Sequence, residues 1–243
     1  MKMKTYFALT MMTWLLATTV CQAQDAIPSI APTFNYTTSE GQVEEGTSYN
    51  GSAPLVGRFS ANPSNVGSYI ANYEWRFYME GDEDNPYLVR YEEDTEYTFT
   101  TFGAHRIVCY ATFINGTDTI RYDKENLAEN LPFTVSIYES ELEFPNAFSP
   151  NNGDLINNIY RAKKYQSIVE FHAYIFNRWG QKLFEWDNPA EGWDGTYKGK
   201  DVKQGVYFCL VKAKGADGRK FTIRKDVNLL RGYTESSTNN TNE

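Results

Sequence analysis

Gly205-Val206-Tyr207-Phe208-Cys209-Leu210-Val211-Lys212-Ala213 decides the fold of this chain. The run is dense in β-branched and aromatic residues, which lose χ1 freedom in a helix but suit a pleated, half-buried surface. Gly215-Ala216-Asp217-Gly218 follows, and a second run of the same style occupies Phe221 to Arg231. Two such runs joined by a glycine-rich turn read as a hairpin. Upstream, Ile168 to Phe176 and Lys182 to Trp186 flank the tight Asn177-Arg178-Trp179-Gly180-Gln181 and read the same way.

The first half repeats the style with a different sequence. Tyr73-Glu74-Trp75-Arg76-Phe77-Tyr78 alternates, with Trp75 and Phe77 on one face. Tyr97 to Thr100, Arg106 to Phe113, Thr119 to Tyr122 and Phe133 to Tyr138 follow, with Asn115-Gly116 as a hairpin signal. Both residues of that dipeptide tolerate positive φ. Short strands at this spacing, without a helical period, predict an all-β chain of two consecutive β-sandwich domains. Each would hold roughly 100 residues, enough to bury a core. The expected divisions are a polar arm or edge strand at 24–50, sandwiches at 51–140 and 141–231, and a polar tail at 232–243.

The N-terminus reads as a secretory signal peptide over 1–23. Lys2 and Lys4 precede the mostly apolar run Ala8 to Val20, and Cys21-Gln22-Ala23 places small residues for cleavage after Ala23. A lipid-modified Cys21 fits poorly, because Thr18, Thr19 and Val20 are not a lipobox. No later stretch is apolar enough for a transmembrane helix. Cys109 and Cys209 lie in different halves, each within a strand-like run, and read as small buried hydrophobes.

Charge is split unevenly. Residues 24–140 carry 18 acidic and 6 basic side chains, a net −12; residues 141–243 carry 13 acidic and 15 basic, a net +2. An acidic first half repels nucleic acid and anionic lipid. The acidic runs Asp82 to Asp84 and Glu92 to Glu96 read as solvated loops. Asn151 to Asn158 is oxygen-rich, but Asp154 is its only carboxylate, and calcium needs several, so no metal is expected. His105 and His172 are the only histidines, and no H-x-x-x-H, G-x-S-x-G or phosphate-binding glycine loop appears. The expectation is a non-enzyme with no cofactor.

Five segments of the second half resemble the type B sorting domain, or gliding-motility-associated C-terminal domain, of the Bacteroidetes type IX secretion system. They are Pro145 to Asn158, Ile175-Phe176-Asn177-Arg178-Trp179-Gly180-Gln181, Trp193-Asp194-Gly195-Thr196-Tyr197-Lys198-Gly199-Lys200, Gly205-Val206-Tyr207, and Lys225 to Arg231. Order and spacing agree across about ninety residues. The first half resembles PKD-like, immunoglobulin-type modules, through Tyr73-Glu74-Trp75 and through Tyr97-Thr98-Phe99 followed by Gly103 to Val108. Asp118-Thr119-Ile120 resembles a short O-glycosylation sequon of exported Bacteroidetes proteins, with Thr119 the acceptor.

The resemblance implies an address. The protein would be exported, would engage the type IX translocon and an outer-membrane barrel of the PorP/SprF kind, and would reside at the cell surface, at the outer membrane or outside. Partner recognition would fall on Asn146, Phe148, Pro150, Asn177, Arg178, Trp179, Gly180, Trp193, Asp194, Gly195, Gly205 and Tyr207. Turn chemistry explains several of these equally well: glycine supplies the unusual φ, and Asp194 accepts backbone N–H groups. The sorting domain makes up about half of the mature chain, which points to an adaptor of the secretion or gliding machinery. The competing reading is a surface adhesin or glycan-binding module, with Trp75, Tyr78 or Tyr87 exposed in one patch.

Overall fold

The computed structural model describes residues 26–38, 41–123, 132–152 and 157–231. The signal peptide with its Ala23 cleavage site, Asp154 and the 232–243 tail lie outside the described residues. The described residues are strands, turns and loops, so the fold is all-β.

In chain order the first half contains β1 (Ser29–Ile30), β2 (Thr33–Thr37), β3 (Val43–Gly46), β4 (Ser48–Gly51), β5 (Leu55–Ser60), β6 (Pro63–Ser64), β7 (Ile70–Met79), β8 (Leu88–Arg90), β9 (Asp94–Phe99), β10 (Gly103–Asn115), β11 (Asp118–Tyr122) and β12 (Phe133–Ile137). One sheet runs β4-β12-β10-β7-β8, with β11 paired to β10; the other runs β3-β2-β5-β9. They face each other across an aromatic core. Phe59 stacks on Phe34 at 4.8 Å and meets Phe77 edge-on at 5.5 Å, and Trp75 is fully buried beside them. Alternation along β7 and β10 produces this directly: Trp75 and Phe77, Ile107 and Phe113 share the inward face.

Among its described residues the 24–50 stretch takes the edge-strand alternative over the loose arm, with β3 and β4 at sheet edges. Its strands enter both sheets: β2 and β3 lie in one, while β4 pairs in parallel with β12 in the other. Phe34 is completely buried, so this polar-looking segment supplies a core ring. The Asn115-Gly116 hairpin also differs by one position. Asn115 pairs with Asp118, so the turn is Gly116-Thr117, with Gly116 at φ +61° and Thr117 at negative φ, the requirement of a type II′ turn.

His105 closes the core end of the first sandwich. It is buried, with Nε2 2.9 Å from the Thr101 carbonyl and Nδ1 3.0 Å from the Tyr87 hydroxyl. That geometry suits a neutral ring donating from Nε2 and accepting at Nδ1. Burial holds its pKa below the ordinary value, against the opposing pull of the Thr101 carbonyl. The folded state therefore binds fewer protons here than the unfolded chain, whose histidine titrates near ~6.5. Stability from this site is complete above that value and declines as pH falls below it. The urea midpoint is expected to drop between pH 7.5 and 5.5, and His105→Gln to flatten that drop.

The second half contains β13 (Glu141–Glu143), β14 (Ala147–Phe148), β15 (Lys164–Gln166), β16 (Ile168–Phe176), β17 (Lys182–Trp186), β18 (Thr196–Tyr197), β19 (Lys200–Asp201), β20 (Gly205–Gly215) and β21 (Lys220–Leu229). One five-stranded sheet runs β14-β21-β20-β16-β17. Against its inner face lies a layer of short pieces: β13-β15, β18-β19 and a bridge between Tyr160 and Trp193. The core between them holds Phe144, Phe148, Tyr160, Ile175, Trp186, Trp193, Val211 and Val227.

The halves meet through the β20–β21 hairpin. Ala216, at its tip, belongs to the first core, and the Phe102 amide donates to the Ala216 carbonyl at 3.0 Å. The Ser167 amide donates to Ser52 Oγ at 3.1 Å, and the Ala53 amide donates to Ser167 Oγ at 3.3 Å. At the connection, the Ser140 amide and hydroxyl both donate to Asp217, at 3.1 and 2.7 Å, and Arg219 donates to the Ser140 carbonyl. Burial would raise the Asp217 pKa, but the Ser140 hydroxyl and two backbone amides outweigh it and hold the carboxyl low.

Candidate functional site

The five sorting-domain-like segments come together within the second sandwich, and most of their residues hold it together. Ala147–Phe148 runs parallel to the last strand, with Phe148 opposite Leu229. The Asn146 carbonyl accepts from the Asn228 amide at 2.9 Å, and Ser149 Oγ donates to the Leu230 carbonyl at 2.9 Å. The opening segment thus fastens the start of the domain to its end.

Trp193 is the keystone of the short layer. It is fully buried, its ring lies 5.3 Å from Phe148 and 5.0 Å from Tyr207, and its Nε1 donates to the Thr196 carbonyl at 2.8 Å. Asp194 Oδ1 accepts from the Thr196 amide and hydroxyl, which fixes the turn. Gly195 has φ +82°, and a Cβ there would sit 3.0 Å from Pro150 and 3.1 Å from Leu229. Arg231 spans the same place: it donates to the carbonyls of Val202 and Gly195, each at 3.1 Å, and pairs with Asp201 at 3.2 Å. Tyr207 OH donates to the Lys203 carbonyl at 2.6 Å. Gly205, at φ +153°, opens β20.

This placement corrects part of the expected recognition set. Phe148, Pro150, Trp193, Gly195 and Tyr207 are buried, so they act through the fold and offer no contact surface. Asn146 and Asp194 are exposed, but the Asn146 carbonyl and the Asp194 side chain are committed to internal hydrogen bonds.

The Asn177–Gln181 turn behaves differently. Asn177 Oδ1 accepts from the amides of Trp179 and Gln181, each at 3.0 Å, and Gly180 at φ +81° completes the reversal. The turn is therefore closed by Asn177, Gly180 and Gln181, without the Trp179 side chain. Trp179 covers nothing: it is 75% exposed, with the Arg178 guanidinium 4.4 Å over its ring. Gln181 donates to Tyr197 OH at 3.1 Å, which joins this turn to the next, where Lys198 lies over the Tyr197 ring.

Elsewhere the chemistry is muted. His172 lies on the outer sheet face, paired with Asp187 and near Glu185 at 3.7 Å. Among the described residues no three His, Cys, Asp or Glu side chains cluster as metal ligands. Thr119 is exposed on β11. Trp75 and Tyr78 are buried, and Tyr87 donates to His105, so the aromatic patch an adhesin reading requires does not form from these three. Cys109 and Cys209 are free and buried, and burial pushes each thiol up to about 12. Neither is expected to react with a thiol reagent at pH 8 in the folded protein; both should react in denaturant.

Residues 142–224 match a family model described as CHU_C Type IX secretion signal domain. The match supports a sorting domain in the second half and, with it, an exported product. No curated protein matches the chain. Among solved structures, dimeric latent PorU from Porphyromonas gingivalis overlaps 86% of this chain and 21% of its own, at 14% identity and a TM-score of 0.24. The chain thus spans about a fifth of PorU. A tetra-tandem repeat from the extending region of a large adhesion protein overlaps 85% of this chain and 68% of its own, at 12% identity and a TM-score of 0.25. The pair IG1+IG2 of DIP-gamma overlaps 86% of this chain and all of its own, at 9% identity and a TM-score of 0.25. Overlaps this loose bear on neither activity nor partner.

Proposed function

We propose that this protein is a non-enzymatic type IX secretion client whose second sandwich is both export address and docking module. After export it engages an outer-membrane barrel of the PorP/SprF kind, as an adaptor of the secretion or gliding machinery. The supporting observation is the sorting-domain match over 142–224, within a chain whose first half is a compact aromatic sandwich fastened to that domain. In this reading the first sandwich is a rigid mount.

The test is a pull-down from solubilised outer membranes of the native host, using the tagged mature chain. A barrel recovered at near-stoichiometric amounts supports the adaptor. Recovery of the protein free in the medium, with no barrel attached, would make it an ordinary secreted passenger.

A further inference from the structure

The outer face of the five-stranded sheet changes character along its length. Near the first sandwich it is polar: Glu170 pairs with Lys214 at 3.2 Å, and Lys212 stands opposite Thr222. At the far end it is apolar along β16 and β20, with Arg224, Asp226 and Asn228 of β21 and Glu185 of β17 flanking the apolar strip. Phe176 stands opposite Phe208 and Tyr174 opposite Leu210, and Val206, Phe208 and Leu230 are between 42% and 49% exposed. The nine residues of β16 set the two ends roughly 27 Å apart, at about 3.4 Å per residue.

Beyond the apolar end stand the two linked turns. Residues 177–182 and 197–200 contribute Arg178, Lys182, Lys198 and Lys200 and contain no carboxylate. Of the four cations, Lys182 is paired, with Glu185 at 2.8 Å. Scattered exposed apolar side chains are ordinary on a protein surface, but a contiguous group crowned by an exposed Trp is not. Trp and Arg are also among the residue types most enriched at interface hot spots, since each brings large contact area together with a polar group.

We infer that this far end is the docking surface, and that it takes a protein offering an acidic rim around an apolar slot, the slot receiving Trp179. The inference rests on the barrel reading above and names the surface that serves it. Charge complementarity selects the rim, because Arg178, Lys198 and Lys200, beside the paired Lys182, attract an acidic surface and repel a basic one. The position also fits, since the described residues of the first sandwich are fastened at the opposite end.

The experiment uses the full mature chain as wild type, Trp179→Ala, the double variant Lys198→Glu/Lys200→Glu, and Lys212→Glu as a control on the polar part of the same face. Each is incubated with solubilised outer membranes at low and high salt, and a photo-crosslinker at position 179 maps the contact. Thermal melts should coincide for all four. Trp179→Ala and the double variant should each lower barrel recovery about tenfold or more, and Lys212→Glu should not. High salt should weaken wild-type recovery, because exposed charges are screened. The crosslinked partner peptide should be rich in Asp and Glu. If wild type captures a barrel and Trp179→Ala captures it equally, the docking surface is elsewhere and the barrel reading stands. A wild type that captures no barrel overturns both. A crosslink between two copies of this chain overturns the inference in favour of self-association.

Discussion

Replacing Trp193 with alanine is expected to unfold the second sandwich at temperatures where the wild type is intact. The indole fills the space between Phe148 and Tyr207, and its Nε1 satisfies the Thr196 carbonyl. A buried Trp→Ala change costs ~3–5 kcal/mol through lost transfer energy and the cavity left behind. That is a large share of the ~5–15 kcal/mol that stabilises a typical domain. The cysteines locate the damage. Cys209 lies in the second core and Cys109 in the first. Partial warming of Trp193→Ala should expose the Cys209 thiol to reagent before the Cys109 thiol. Simultaneous exposure of both would mean that the second sandwich does not melt separately.

The second large effect falls on the joint between the sandwiches. Gly215 has no room for a side chain: a Cβ would lie 2.2 Å from both Cβ and Oγ of Ser140. Gly215→Val must push the β20–β21 hairpin away from residues 138–141. That loosens the Ser140–Asp217 bonds and withdraws Ala216 from the first core. The wild type should unfold in one calorimetric transition and resist proteolysis at the connection, because Ser140 is buried and its backbone is bonded on both sides. Gly215→Val should give two transitions and rapid cleavage near Ser140. Asp217→Ala, which removes the acceptor without adding bulk, should shift both readouts in the same direction by less. One unchanged transition in Gly215→Val would show that the hairpin does not couple the halves.

How far the sequence could be read depended on the range of the interactions involved. Strands such as Ile168–Phe176 and Lys182–Trp186 were legible to the residue, because alternation and flanking turn residues are local signals. The 24–50 stretch left a choice between arm and edge strand because its strands are mostly half-exposed, with Ile30 and Phe34 as core residues among Thr, Ser and Glu. Among the recognition candidates, Trp179 and Trp193 look alike in sequence: each is an indole in a glycine-containing turn. What separates them is non-local. Trp193 is bridged to Tyr160 and packed by Phe148 and Tyr207, whereas Trp179 sits past the end of β16 and is exposed. The Ser140–Asp217 joint spans 77 positions and had no local signature.

The sorting-domain match over 142–224 points to the second sandwich as the address for the type IX route. The most direct measurement is the location of the full-length chain in a bacterium with a working type IX translocon and in the same strain lacking it. Protease-accessible protein on or beyond the outer membrane is expected in the first, and protected protein held in the periplasm in the second. The same distribution in both strains would contradict it.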